Sequence, residues 1–195
     1  MDHPSIVLVT GFAPWASHDV NPSTHIAHAL DGVTMNGISF RAHAPLPVQF
    51  GTAADVALRR ATELGAKAIV AFGLAAATPY VRIEKQAKNE VSTHEPDARG
   101  ESRLGNAIVE KASARLATAC NVDAITSDLV ASGVDARISD DAGGYVCNDL
   151  YYRLLRNAGM PVLFVHVPTG ADTNAALPAA LASALSRELN RLLSR

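Results

Sequence analysis

Apolar residues recur along this chain in two alternating rhythms. Ile6–Thr10, Ala68–Phe72 and Pro161–Val165 are short apolar runs rich in β-branched residues. The first stops at Gly11 and the second at Gly73, as expected of strands buried on both faces. Between such runs lie longer stretches with apolar residues three and four positions apart. Thr52–Leu64 is an amphipathic helix ended by Gly65, Asp123–Ala131 reads as helix up to Gly133, and Val146–Asn157 carries Leu150, Tyr151, Leu154 and Leu155. Near the C-terminus Leu177, Leu181, Leu185, Leu189 and Leu192 form one stripe. Asn21 followed by Pro22 is a cap and first-turn signal for a helix through His25–Leu30 to Gly32. Weaker patterns mark Ile38–His43 and Ala136–Ser139 as strands. From Leu74 to Arg103 both rhythms fail and Pro, Gly and charged residues dominate, which predicts a functional loop or hairpin. Residues 104–120 carry the weakest signal of all.

Strands that alternate with helices imply a mainly parallel sheet covered on both faces. The expected fold class is therefore α/β, a single-domain three-layer αβα sandwich spanning residues 1–195. Composition changes this picture little: 48% of residues are hydrophobic and 18% charged, as in ordinary globular chains. A net charge of −2 with interspersed signs gives no electrostatic case for nucleic acid or an anionic membrane surface. Met-Asp-His-Pro-Ser at the start lacks the order of a signal peptide, and Ile6–Val9 is too short to span a bilayer. Cys120 and Cys147 form neither a disulfide framework nor a metal spacing, so free thiols and a cytoplasmic location are expected. His3, His18, His25, His28 and His43 follow no metal spacing either, and no metal or cofactor is expected.

Open parallel sheets place their sites where strands end and helices begin. Three segments fit: Thr10-Gly11-Phe12, Asp141 to Asn148, and Phe164 to Pro168. In the second, paired glycines lead into Cys147 at the head of a predicted helix. A helix N-terminus favours the thiolate and points N–H groups at a developing oxyanion, so a lowered thiol pKa is expected there. Asn148 reads as a first-turn residue satisfying loop backbone. His166 closes a buried strand before Val167 and Pro168, where it can face the mouth of the sheet as general base to a thiol. Each has a plainer reading, Cys147 as a small buried hydrophobe and His166 as a packed strand-end residue. Glu84, taken alone in the alternating Val81–Lys85, reads as a solvated strand residue. No Walker loop, dinucleotide fingerprint or GxSxG elbow occurs.

Taken together these segments resemble the pyroglutamyl peptidase I (pyrrolidone-carboxylate peptidase) family. Thr10 to Trp15 followed by Val20-Asn21-Pro22-Ser23 is similar to its opening TGFxPF…NPS. Ala142 to Asn148, with Leu150 and Tyr152, resembles AGxxVCNxLxY, and Phe164 to Pro168 resembles FxHxP. Glu84 stands eleven residues after Gly73, as in the family, and Ala87, Asn89, Pro96, Asp97 and Gly100 keep the following spacing. The resemblance implies an α/β sandwich and a Cys147–His166–Glu84 triad that removes an N-terminal pyroglutamyl residue from a small peptide. It implies Phe12, Trp15 and Tyr145 as apolar walls around the lactam ring, with Leu74 and His94 also in the substrate shell. A homo-oligomer, dimer or tetramer, is expected on the same ground.

The chain departs from the family in that shell. GQAGGR reads here Gly73-Leu74-Ala75-Ala76-Ala77-Thr78, and the arginine and isoleucine of RIPD are His94 and Glu95. Arg99, five residues beyond His94, is a candidate substitute for the missing cation. Two alternatives therefore stand beside a pyroglutamyl peptidase: a cysteine hydrolase of another small lactam or acyl group, and a non-catalytic binding or assembly homologue.

Overall fold

The computed structural model describes residues 3–15 and 21–194; His18 and Val20 fall outside them. Seven strands form one twisted sheet. In chain order its members are β1 (Ser5–Thr10), β2 (Thr34–Met35), β3 (Ile38–Ala42), β4 (Ala68–Leu74), β5 (Val81–Glu84), β8 (Ala136–Ser139) and β9 (Val162–Val167). A separate antiparallel pair joins β6 (Gln86–Lys88) to β7 (Arg115–Ala117). Across the large sheet the order is β2-β3-β1-β4-β9-β5-β8. The pairs β1–β3, β1–β4, β4–β9 and β5–β8 are parallel; β2–β3 and β5–β9 are antiparallel.

The helices are α1 (Pro22–Ala29), α2 (Thr52–Leu64), α3 (Val122–Ala131), α4 (Val146–Asn157) and α5 (Leu177–Leu193). Strand alternation sorts them into two layers. Val7, Val9, Val70, Phe72, Leu163 and Val165 point into a core shared with α1, α3 and α5. Their neighbours Leu8, Ile69, Ala71, Val162 and Phe164 point the other way, onto α2 and α4. With side-chain period two, a residue's face follows from its parity along the strand. The single-domain α/β sandwich is thus built around runs whose every residue is buried: β9 has no exposed position at all.

Three departures from the sequence expectations have physical causes. β4 does not stop at Gly73 but runs through it to Leu74, because a glycine there is a close-packing residue rather than a turn. The segment from Leu74 to Arg103 is not only loop. It supplies β5, which lies inside the sheet against β9, and β6. Residues 104–120 likewise hold β7, too short at three residues to show a period. The turn after β4 uses Ala75 to Thr78, closed by Thr78 N–H to Ala75 O at 3.0 Å.

Candidate active site

Parity places four residues of three adjacent elements on the α4 face of the sheet. Gly73 continues the Ile69, Ala71 series in β4, and His166 continues Val162 and Phe164 in β9. Arg82 and Glu84 alternate with Val81 and Ile83, which face the other core. In the β4–β9 register Gly73 lies beside His166; in the antiparallel β5–β9 register Arg82 lies opposite His166 and Glu84 opposite Phe164. Glu84 and His166 are therefore diagonal cross-strand neighbours, within side-chain reach.

That reach is used. His166 Nδ1 lies 2.7 Å from Glu84 Oε1, with Glu84 fully buried and His166 only 5% exposed. A carboxylate can only accept, so Nδ1 carries the proton and Nε2 is left as the basic nitrogen. Glu84 is thus not the solvated residue its alternation suggested; β5 is covered by α4, and Tyr151 Oη donates to the Glu84 carbonyl at 2.9 Å. Arg82 Nε stands 3.1 Å from the same Oε1.

Cys147 comes from the opposite direction, in the first turn of α4. The turn before it is pinned to the loop that follows β6. Ser92 N–H donates to Gly144 O at 3.1 Å, and a Cβ on Gly144 would stand 1.9 Å from Ser92 Oγ. Asn148, fully buried, accepts from Lys88 N–H at 2.9 Å and donates to Lys88 O and Glu90 O at 2.8 and 2.9 Å. The helix start is thereby fixed against β6, and Sγ of Cys147 rests on β4: a Cβ on Gly73 would lie 3.0 Å from Sγ and 2.8 Å from the Phe164 ring. Cys147 and His166 thus converge on Gly73 from above and beside it. Among the described residues no hydrogen bond joins the two.

The expected lowering of the Cys147 pKa is reversed. Burial against Phe164 and Gly73 pushes the half-buried thiol up to about 12, and the Glu84 charge adds to this while Arg82 opposes it. Desolvation outweighs the helix N-terminus, and the resting group is a neutral thiol. The first intrahelical bond of α4 is Asp149 N–H to Tyr145 O at 3.1 Å, so the N–H groups of residues 146–148 precede the ladder and suit an oxyanion.

Cys147 opens into a cavity of about 250 Å³. Phe12, Trp15, Leu74, Tyr145 and Val146 wall it, and Val48, Ala76, Asn21 and Glu95 complete it. Phe12 is held by Ser23 Oγ, which accepts from its N–H at 3.0 Å, and by Thr24 Oγ1, which donates to its carbonyl at 2.6 Å. Tyr145 packs edge-on against Phe50 and donates to Pro96 O at 2.8 Å. His94 is exposed and does not line the cavity; its neighbour Glu95 does. Arg99 is engaged elsewhere, 3.2 Å from Glu101 and 3.7 Å from Asp97. Sequence reasoning had no signal for Val48. It lies in an aperiodic Pro-flanked stretch that runs beside residues 11–13 through a single bridge, Phe12 to Leu46. Among the described residues no cluster of three or more His, Cys, Asp or Glu is arranged to hold a metal. No helix there is long and apolar enough to cross a membrane.

Residues 5–183 match the model of the family described as pyroglutamyl peptidase. The chain belongs to that family. It is 35% identical over 163 residues to the pyrrolidone-carboxylate peptidase of Chromobacterium violaceum, covering 83% of this chain and 77% of that one. Among solved structures it resembles the pyroglutamyl peptidase I of Bacillus amyloliquefaciens in fold, with a TM-score of 0.86, 23% identity and 98% of each chain covered. The pyrrolidone carboxyl peptidase of Thermococcus litoralis gives a TM-score of 0.85 at 26% identity, covering 97% of this chain and 96% of that one. The pyroglutamyl peptidase fold is thus matched along nearly the whole length of the chain.

Proposed function

We propose that this chain is a cysteine peptidase that removes an N-terminal pyroglutamyl residue from small peptides, with Cys147 as nucleophile. The observation that carries the reading is the buried His166 Nδ1–Glu84 Oε1 contact of 2.7 Å, on the sheet face over which Cys147 lies. In this mechanism Sγ attacks the pyroglutamyl carbonyl carbon while His166 Nε2 takes the thiol proton. The resulting oxyanion is met by the N–H groups at the head of α4. Collapse breaks the C–N bond, and the imidazolium returns its proton to the leaving amine. Water, deprotonated by His166, then attacks the thioester and releases pyroglutamate and the free thiol. Glu84 keeps Nδ1 protonated and stabilises the imidazolium. A thiol that rests neutral needs such a base, because little thiolate is available beforehand.

The apolar cavity suits an uncharged five-membered lactam, which is recognised by shape and few polar contacts. The chain's family and its two free cysteines fit an enzyme of the reducing cytoplasm. A second reading, hydrolysis of another small acyl group, is favoured by one feature: Leu74 and Glu95 give this cavity an apolar wall and a carboxylate. Release of a fluorogenic amine from pyroglutamyl, prolyl and alanyl conjugates separates the two. Turnover of the pyroglutamyl conjugate alone supports the first reading, and its absence beside turnover of another conjugate replaces it with the second.

A further inference from the structure

A buried carboxylate is costly unless charge and hydrogen bonds compensate it. Glu84 is fully buried, yet only Oε1 is partnered; Oε2 has no hydrogen-bond partner among the described residues. The imidazole it contacts reaches it through Nδ1 alone. Among the described residues the cation paired with Glu84 is Arg82, whose Nε lies 3.1 Å from Oε1 and whose side chain is 22% exposed. Arg82 faces His166 across the β5–β9 pair, so the cation and the imidazole share one carboxylate oxygen.

The far end of the same guanidinium reaches the turn that leads into α4. Arg82 Nη2 donates to Ser139 Oγ at 2.7 Å and to the carbonyl of Asp141. The Asp141 carboxylate in turn accepts from Lys88 Nζ at 2.7 Å and from Gly143 N–H at 3.0 Å. One planar side chain therefore spans from the partner of His166 to the glycine turn before Cys147. Lysine, with a single charged nitrogen, cannot hold both ends at once.

We propose that Arg82 is a positioning residue: anchored at its far end by Ser139 and Asp141, it holds the Glu84 carboxylate aimed at His166. This rests on the catalytic reading above. Its effect runs through Glu84, so it disappears when Glu84 can no longer carry charge.

The test is a cycle of wild type, Arg82→Gln, Glu84→Gln and the double variant, with Arg82→Lys as the charge-retaining control. Gln at 82 removes the cation and, two bonds shorter, also lets go of Ser139 and Asp141, so the whole anchored contact on Glu84 is lost. Steady-state kinetics use the pyroglutamyl conjugate, and thermal unfolding is followed for each protein. Arg82→Gln is expected to lower kcat about 10- to 100-fold with KM within about twofold, the range for removing a partner behind a functional group. Arg82→Lys recovers part of the loss, and in the Glu84→Gln background Arg82→Gln costs less than about twofold more. Equal losses in both backgrounds, a loss confined to KM, or no loss overturns the proposal. A wild type inactive on every conjugate removes the catalytic reading instead. The His166 Nδ1–H proton signal in NMR then decides Arg82 alone: displaced in Arg82→Gln, not displaced further by Arg82→Gln once Glu84 is Gln, and unchanged from wild type in Arg82→Gln if Arg82 has no such role.

Discussion

Cys147 sits under two opposed influences, a helix N-terminus that favours thiolate and a packed environment that does not. Packing prevails, with the thiol pushed up to about 12. Iodoacetamide labelling of Cys147 is therefore expected to keep accelerating from pH 7 through pH 9, with no plateau near neutrality. Cys147 is also expected to label ahead of Cys120, because it is half-buried at a cavity while Cys120 is buried, and access outweighs the thiol values of about 12 against about 11. Mass spectrometry of the two peptides over a pH series checks both points; a neutral plateau would mean that the helix terminus dominates after all. Cys147→Ser should abolish amine release without changing the fold. Gly73 offers a sharper probe of the same spot. Its missing Cβ is occupied space, 2.8 Å from the Phe164 ring and 3.0 Å from Sγ. Gly73→Ala is expected to cost about 1–3 kcal/mol in urea unfolding, as overpacking does, and to depress kcat by displacing the thiol.

Among the elements, the loop of residues 93–101 is gathered around one buried side chain. Asp97, fully buried, accepts from the N–H groups of Arg99 at 2.8 Å, Glu101 at 3.0 Å and Phe50 at 3.1 Å. Burial alone would raise its pKa, but those N–H groups and the nearby Arg99 hold it below the usual carboxylate range. Its contribution is present above about pH 3.8, the unfolded value, and is lost as pH falls through the lower folded one. Asp97→Asn should thus flatten the acid limb of stability and raise KM by loosening the Glu95 and Tyr145 walls, measurable by urea titration from pH 2 to 5 beside kinetics. Legibility in the sequence also divides by element. α2, α4 and β8 match their patterns end to end, α2 and α4 because an amphipathic period acts locally, with Gly65 stopping α2. β5 was hidden. Four residues reading Val-Arg-Ile-Glu look half-exposed, and only the cover of α4, far along the chain, makes the Arg82 and Glu84 face an interior one. The cavity walls near Thr10, Cys147 and Leu74 could be read from strand ends, whereas Val48 and Glu95 arrive on loops whose course no period encodes.

For the molecule as a whole, two thiols held neutral make stability depend on alkaline pH. Below about pH 9, the ordinary thiol value, both states keep the protons; above it the unfolded chain releases them first, and stability falls as pH rises toward the folded values of about 11 and 12. Urea midpoints from pH 8 to 11 should fall more steeply in wild type than in a Cys120→Ala, Cys147→Ala double variant. The order of the sheet has a consequence in time as well as in space. β9 is the last strand in the chain but lies in the middle of the sheet, with β4 on one side and β5 on the other. A nascent chain on the ribosome can pair β1 with β3 and β4 early, yet among the described residues no strand pairs that half of the sheet with β5 until residues 162–167 have emerged. Such long-range closure is slow compared with local pairing. His166 arrives on that closing strand, so an unfinished chain holds Cys147 and Glu84 without the imidazole that Glu84 contacts, and under the proposed mechanism synthesis itself keeps the chain silent until its sheet is whole.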